Sequence, residues 1–291
     1  MTLTIRYVEA TGPDQGERLE RYPLQDGDIV IADRGYNQPD AILRLSEQAI
    51  NVMIRLNPCA MPLYRRTGER LDVVEHLKRV AAGYHCLPVR LGKPGSACEG
   101  WVHAYRLSAQ HADAARRRCR QNAQGGTPSS RTLFLAGWVL VFTTVPPEVL
   151  GTETVIALYR LRWQVELAIK RLKSVLDLDQ LRAKQGSPLA DVWLHGKLLY
   201  ALCIDKYARR HGGDDWSRLE RQRPATWWRV WKILRREVAE WIIGVPHWRQ
   251  DQWQACFEVM QERPRRRKLQ TLPEGINPLL EVCRKAGLCA M

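Results

Sequence analysis

The residues best suited to chemistry lie between Tyr159 and Lys173, in the run YRLRWQVELAIKRLK. Tyr159, Arg162, Glu166 and Lys173 follow one another at spacings of three, four and seven. An α-helix turns by about 100° per residue, so these spacings place them within roughly 60° of one another, on one stripe. Lys170 falls on the same stripe. One carboxylate thus stands among three cations and a phenol, a set suited to phosphodiester chemistry. Glu166 could hold a divalent metal through its carboxylate oxygens. Arg162 could grip a phosphate as a fork, Lys173 as a point charge, and Tyr159 could donate a hydrogen bond. The same spacing also describes a solvated helix face, with ion pairs worth about 0.2–0.5 kcal/mol each. Spacing alone leaves both readings open.

Two elements must position such a set. Leu158, Leu161, Val165, Ala168, Ile169, Leu172 and Leu176 occupy the face beside the stripe. They predict the core side of one long helix, beginning at Thr152 or Glu153 and reaching about Leu178. Well upstream, GDIVIADRGY (residues 27–36) contains a short apolar run, Ile29 to Ala32, of the kind that forms a strand buried on both faces. Asp33 follows at its carboxyl end, Gly35 allows a sharp turn, and Pro39 fits the first turn of a helix to about Leu45. An Asp at a strand tip serves as a turn cap or as a reactive carboxylate.

The pattern Y-x2-R-x3-E-x6-K, complete in Tyr159, Arg162, Glu166 and Lys173, resembles the signature helix of the bacterial insertion-sequence transposases of type four, a branch of the DDE transposases. The resemblance implies that Glu166 is the last of three catalytic carboxylates and that Tyr159, Arg162 and Lys173 contact DNA near the cut end. Lys170, on the same stripe, joins them as a DNA-binding candidate. The run ADRGY is similar to the family's second catalytic motif, so Asp33 would end a strand of an RNase H-like sheet and share Mg2+ (or Mn2+) ions with Glu166 in a two-metal site. Trp138 stands 21 residues before Tyr159. Some members that cut through a DNA hairpin place a Trp at this distance, stacked on a flipped base, a contact worth about 1–3 kcal/mol. Read from the residues alone, Trp138 is a core or sheet-edge Trp.

The family's first Asp has no match. Only 32 residues precede Asp33, and the acids among them, Glu9, Asp14, Asp26 and Asp28 included, sit in no recognisable first motif. Residues 3–10 alternate as a strand does, and by resemblance they form the third strand of the sheet. The first two strands would then lie before Met1. The expectation is an N-terminally truncated member, with a partial sheet and two of three carboxylates.

The fold class is therefore α/β: a partial RNase H-like mixed sheet with a β-rich insertion and a helical C-terminal region. Residues 1–57 form the partial core with the second Asp, 58–145 the insertion, 146–180 the signature helix, and 181–291 the helical region. Another strand is expected over 49–57, and strand-like runs within the insertion at 87–91, 101–107 and 132–142, where helical periodicity is weak. The insertion also holds an Arg cluster, Arg116, Arg117, Arg118 and Arg120. A second helix is expected from Ser187 to about Arg210, ended by the loop HGGDDW. A third begins near Pro224 with Trp227, Trp228, Trp231, Leu234, Val238, Trp241 and Ile242 as its packing stripe, a fourth spans 247–262, and a short one lies around Pro278 to Ala286. RPRRRK (263–268) forms a basic patch.

The whole composition agrees with a polyanionic partner. The 291 residues carry 45 Lys and Arg against 31 acids, a net charge of +14, and a pI near 9.7. No apolar run reaches the roughly 18 residues a membrane helix needs, and the N-terminus lacks a signal-peptide pattern, so a cytoplasmic, nucleoid-associated bacterial protein is expected. The eight cysteines include no CxxC pair, and Cys86, Cys98 and His103 match no common zinc spacing; reduced thiols are expected. The function expected is DNA transposition: metal-dependent strand cleavage and transfer at insertion-sequence ends, weakened by the absent first Asp. Its partner is double-stranded DNA, with a homo-oligomer when assembled on that DNA. The alternative is a non-catalytic DNA-binding remnant that inhibits a full-length transposase. A metal-dependent nuclease unrelated to transposition would not need the Tyr–Arg–Lys stripe.

Overall fold

The computed structural model describes residues 16, 18–93, 95–123, 126–222, 227–244 and 276–290. They belong to two compact units, one of residues 1–162 with 272–291, the other of residues 163–271. The strand expected at 3–10, the helix at 247–262 and the basic patch at 263–268 lie outside the described residues.

The first unit is built on a mixed seven-stranded sheet. Its strands are β1 (Asp28–Ala32), β2 (Asn51–Arg55), β3 (Leu63–Tyr64), β4 (Tyr84–Lys93), β5 (Ser96–Arg106), β6 (Trp138–Thr143) and β7 (Cys289–Ala290). They lie in the order β3-β4-β5-β6-β2-β1-β7. β1 and β2 are parallel, Ala32 opposite Ile54, and β7 adds in parallel at Asp28 and Ile29. The pairs from β2 through β6, β5 and β4 to β3 are antiparallel. The crossover between β1 and β2 is helix α1 (Pro39–Glu47), with Pro39 at its start as expected.

Alternation along the strands divides two cores. Ala32, Val52 and Ile54 face α1 through Ala41, Ile42 and Leu45, in a cluster that continues to Leu140 and Phe142. Ile29, Met53 and Val141 face the other way, against Val155 and Leu158 of α5 (Thr152–Tyr159) and Cys283 of the C-terminal helix Ile276–Lys285. Gly100 in β5 is glycine for a packing reason: an added Cβ would lie 2.6 Å from Phe142 Cζ. The α/β class with a mixed sheet agrees with the RNase H-like expectation.

Several local expectations are corrected. The β-rich insertion carries β3 to β6 as expected, but it also contains three helices that helical periodicity did not announce, α2 (Val73–Lys78), α3 (Ala109–Gln121) and α4 (Ser130–Leu135). The strand expected from 132 begins only at Trp138. α3 is Ala- and Arg-rich with only Ala112 buried, so its helicity comes from residue preference rather than an apolar stripe. Asp72 caps α2 and also binds Arg131 of α4 through two 2.9 Å hydrogen bonds.

The long signature helix is also interrupted. α5 ends at Tyr159, and α6 (Arg162–Leu176) begins three residues on. Between them Arg160 and Leu161 donate to the carbonyls of Ala157 and Leu158, the tighter three-residue pattern. Tyr159 is therefore not on one unbroken stripe with Glu166 and Lys173.

The second unit holds most of α6 with α7 (Pro188–Gln222) and α8 (Trp227–Ile242). Its core joins Leu172, Val175 and Leu176 of α6 to Leu198, Ala201 and Ile204 of α7 and Leu234 of α8. Val165 and Ile169, expected in the core, are 58% and 46% exposed. The loop expected at HGGDDW is helical, because α7 runs through it. Among the described residues, no helix is long and apolar enough to cross a membrane.

Candidate nucleic-acid interface

Asp33 stands at the carboxyl end of β1 in extended backbone (φ −89°, ψ −169°), so it continues the alternation of Ile29 and Ile31. Arg55 ends β2 and continues the alternation of Met53, on the same face. Both side chains thus leave the sheet on the face that α5 covers. They meet the end of α5 and the first residue of α6. Arg162 Nη1 lies 3.7 Å from Asp33 Oδ2. The other Asp33 oxygen accepts from the Gly35 amide at 2.8 Å, capping the turn Arg34–Tyr36. The carboxylate is thus both a turn cap and a charge partner.

Tyr159 is half-buried beside this pair. Burial pushes its phenol above the ordinary value, against the pull of Arg162 and Arg55. It stays protonated at neutral pH, as a donor must. Arg55 donates to the Trp138 carbonyl at 3.1 Å. Burial, then the neighbouring Arg34 guanidinium, pull its pKa down to about 10, with Arg162 acting the same way and Tyr159 opposing. Asn37, 7% exposed, ties the two strand ends together. Its amide donates to the carbonyls of Arg34 at 2.9 Å and Arg55 at 2.8 Å, and its oxygen accepts from the Asn57 amide at 2.8 Å. Sequence reasoning missed Arg34, Arg55 and Asn37, because their meeting depends on the parallel β1–β2 register. Asp28 takes no part. It is buried at the opposite end of β1, where it accepts from the Gln25 amide at 2.7 Å.

The remaining candidates are placed as follows. Glu166 and Lys173 lie on α6 in the second unit, Glu166 half-buried and Lys173 exposed. Lys170 lies 5.0 Å over the Trp163 ring. Trp138 is 3% exposed, with Arg106 5.8 Å over its indole. It borders a cavity of about 630 Å³ lined also by Tyr105, Arg106, Arg116 and Phe134. For a base to stack on the indole from that cavity, Arg106 would have to swing aside. Of the Arg cluster, Arg116 is bound to Asp113 at 2.8 Å and to the Leu133 carbonyl at 3.3 Å. Cys86 and His103 face each other across β4 and β5, while Cys98 pairs with Leu91 five positions along. His103 is fully buried, hydrogen-bonded to the Thr152 hydroxyl at 2.9 Å, and burial pulls its pKa down to about 4. Cys59, Cys86, Cys98, Cys119, Cys203 and Cys283 are free thiols.

As to metal, one carboxylate beside the Arg162 guanidinium is a poor ion site on its own. Among the described residues no cluster of three or more His, Cys, Asp or Glu could hold one. The donors around Asp33 suit an anion instead.

The described fold is thus a mixed α/β sheet with an Asp at a strand end and an Arg 3.7 Å from it at the start of a helix. The family description "Transposase DDE domain" matches residues 10–201, and the chain belongs to that family. Its relatives include the transposase for insertion sequence element IS421 from Escherichia coli, 34% identical over 206 residues, 68% of this chain and 55% of the relative. The InsL protein of element IS186A from Escherichia coli strain K12 shows the same identity and coverage. The transposase for element IS231F from Bacillus thuringiensis subsp. israelensis is 32% identical over 80 residues, 28% of this chain and 17% of the relative. The chain spans about half the length of the first two. No solved structure matches it. Members of the family act on DNA and generally use divalent metal.

Proposed function

We propose that this chain works in DNA transposition as the part of a DDE transposase that carries the second and third carboxylates, Asp33 and Glu166. The observation that carries this reading is the 3.7 Å approach of Arg162 to Asp33, which joins both sequence motifs. By the family resemblance, Asp33 and Glu166 are each a carboxylate that would ligate Mg2+ or Mn2+. When bound, such ions activate the attacking oxygen and stabilise the leaving one. The chain's own residues bind and orient the DNA. Arg162 forks onto a backbone phosphate, Tyr159 donates to a phosphate oxygen, and Lys170 and Lys173 follow the strand along α6. Trp138, 3% exposed and packed in the core on the other face of the sheet from Asp33, would have to be uncovered before a displaced base could stack on it. The DNA is double-stranded, with an element end and a target, and copies of the chain assemble on it.

The Arg162 guanidinium beside Asp33 favours a chain that binds ends better than it cuts them. Such a chain would also limit a full-length relative by occupying those ends. The test is a labelled duplex carrying the element's end, incubated with the 291-residue chain and Mg2+ or Mn2+. Binding without cleavage is expected. Cleavage that is lost in Glu166→Gln would show a complete active site and overturn the reading of impairment. Absence of any binding would overturn the DNA reading.

A further inference from the structure

We propose that Arg55 is a further DNA-binding residue, one that grips the backbone phosphate beside Asp33 and sets its position relative to Arg162. The inference rests on the reading of Asp33 and Arg162 given above and goes beyond the four-residue signature. Three observations carry it. First, the parallel register pairs Ala32 with Ile54, so the next residues, Asp33 and Arg55, emerge side by side at the carboxyl edge of the sheet. Neighbouring strands lie about 4.8 Å apart, within reach of one phosphate group. Second, the guanidinium is held in place. It donates to the Trp138 carbonyl at 3.1 Å, and its own carbonyl is fixed by Asn37 at 2.8 Å. A fork held this way loses little freedom when it binds. Third, its charged neighbours are mostly cations. Burial acts on it most strongly, and Arg34 and Arg162 add to that as like charges. A half-buried guanidinium beside two others is stabilised by an anion more than a solvated one is. A DNA phosphate supplies that anion at the point where Asp33 needs the strand.

The test is binding of the full chain to a fluorescent duplex of about 30 base pairs and arbitrary sequence, titrated over salt, since a phosphate grip reads no sequence. Arg55→Gln should weaken binding about tenfold and lower the slope of log K against log salt by about 0.9, the value for one lost phosphate contact. Arg162→Gln should do the same, while Arg90→Gln, at a residue paired with Glu99, should change neither. Arg55→Lys keeps the charge but not the fork, so the slope should hold while affinity falls several-fold; this variant decides if Arg55→Gln folds poorly. A normal slope in Arg55→Gln, or normal affinity in Arg55→Lys, with Arg162→Gln impaired would overturn the role of Arg55 and leave the site standing. Normal behaviour of both Gln variants, or no binding by the parent chain, would overturn the underlying reading as well.

Discussion

Arg162 and Asp33, 129 positions apart in sequence, form an ion pair with Nη1 3.7 Å from Oδ2. Asp33 sits where β1 ends, and Arg162 where α6 begins. The pair is the physical link between the strand-end motif and the signature helix. Both side chains keep substantial exposure, 46% for Asp33 and 24% for Arg162, so the contact adds little to stability. Its geometry is better suited to exchange: a phosphate can take the guanidinium, and a cation the carboxylate. Arg162→Gln should therefore unfold in urea within about 1 kcal/mol of the parent, yet bind duplex DNA about tenfold more weakly, a charge-assisted contact being worth about 1.5–3 kcal/mol. Equilibrium unfolding and fluorescence anisotropy measure the two effects.

Asn37 makes the opposite prediction. It is buried and saturated by the carbonyls of Arg34 and Arg55 and the amide of Asn57. Asn37→Ala leaves those groups without partners and should cost about 2–3 kcal/mol in urea unfolding. Asn37→Asp should cost more, because a carboxylate cannot donate to the two carbonyls. DNA binding should fall in parallel, as the loops carrying Asp33 and Arg55 lose their common anchor.

His103 predicts a pH effect. Its value in the fold is about 4, against 6.5 for the free group. Above 6.5 the imidazole is neutral in both states and contributes no pH dependence. Below it the unfolded chain binds a proton that the folded chain refuses, so stability falls as pH drops from about 6.5 towards 4, by up to about 3 kcal/mol. His103→Gln should lose less stability than the parent between pH 7 and pH 4.5, measured by thermal unfolding. An equal loss in both would show that His103 is not the responsive group.

Much of the site's framework was legible because it is local. The apolar run ending at Asp33, the Pro39 helix start and the leucines of α6 that reach Leu176 all follow from short-range pattern. Other features depended on context. Val165 and Ile169 share the apolar face of α6, but the described helices of the second unit leave them exposed. HGGDDW reads as a break because each glycine costs a helix about 1 kcal/mol, yet α7 continues through it. α3 lacked an apolar period to announce it. The break between Tyr159 and Arg162 left no trace in the spacing that suggested one stripe. Arg55 and Asn37 carried no motif at all; only the pairing of β1 with β2 brings them to Asp33.

The central proposal is that Asp33, a poor ion site on its own, takes a metal ion once DNA phosphates lie beside it. The measurement that tests it most directly is duplex affinity of the parent chain and of Asp33→Asn, each with EDTA and with Mg2+. Without metal, Asp33→Asn should bind several-fold more tightly, since a negative charge facing phosphates has been removed. With Mg2+ the parent chain should gain affinity and the variant should not, so the order narrows or reverses. Equal affinities for both proteins under both conditions would contradict the claim.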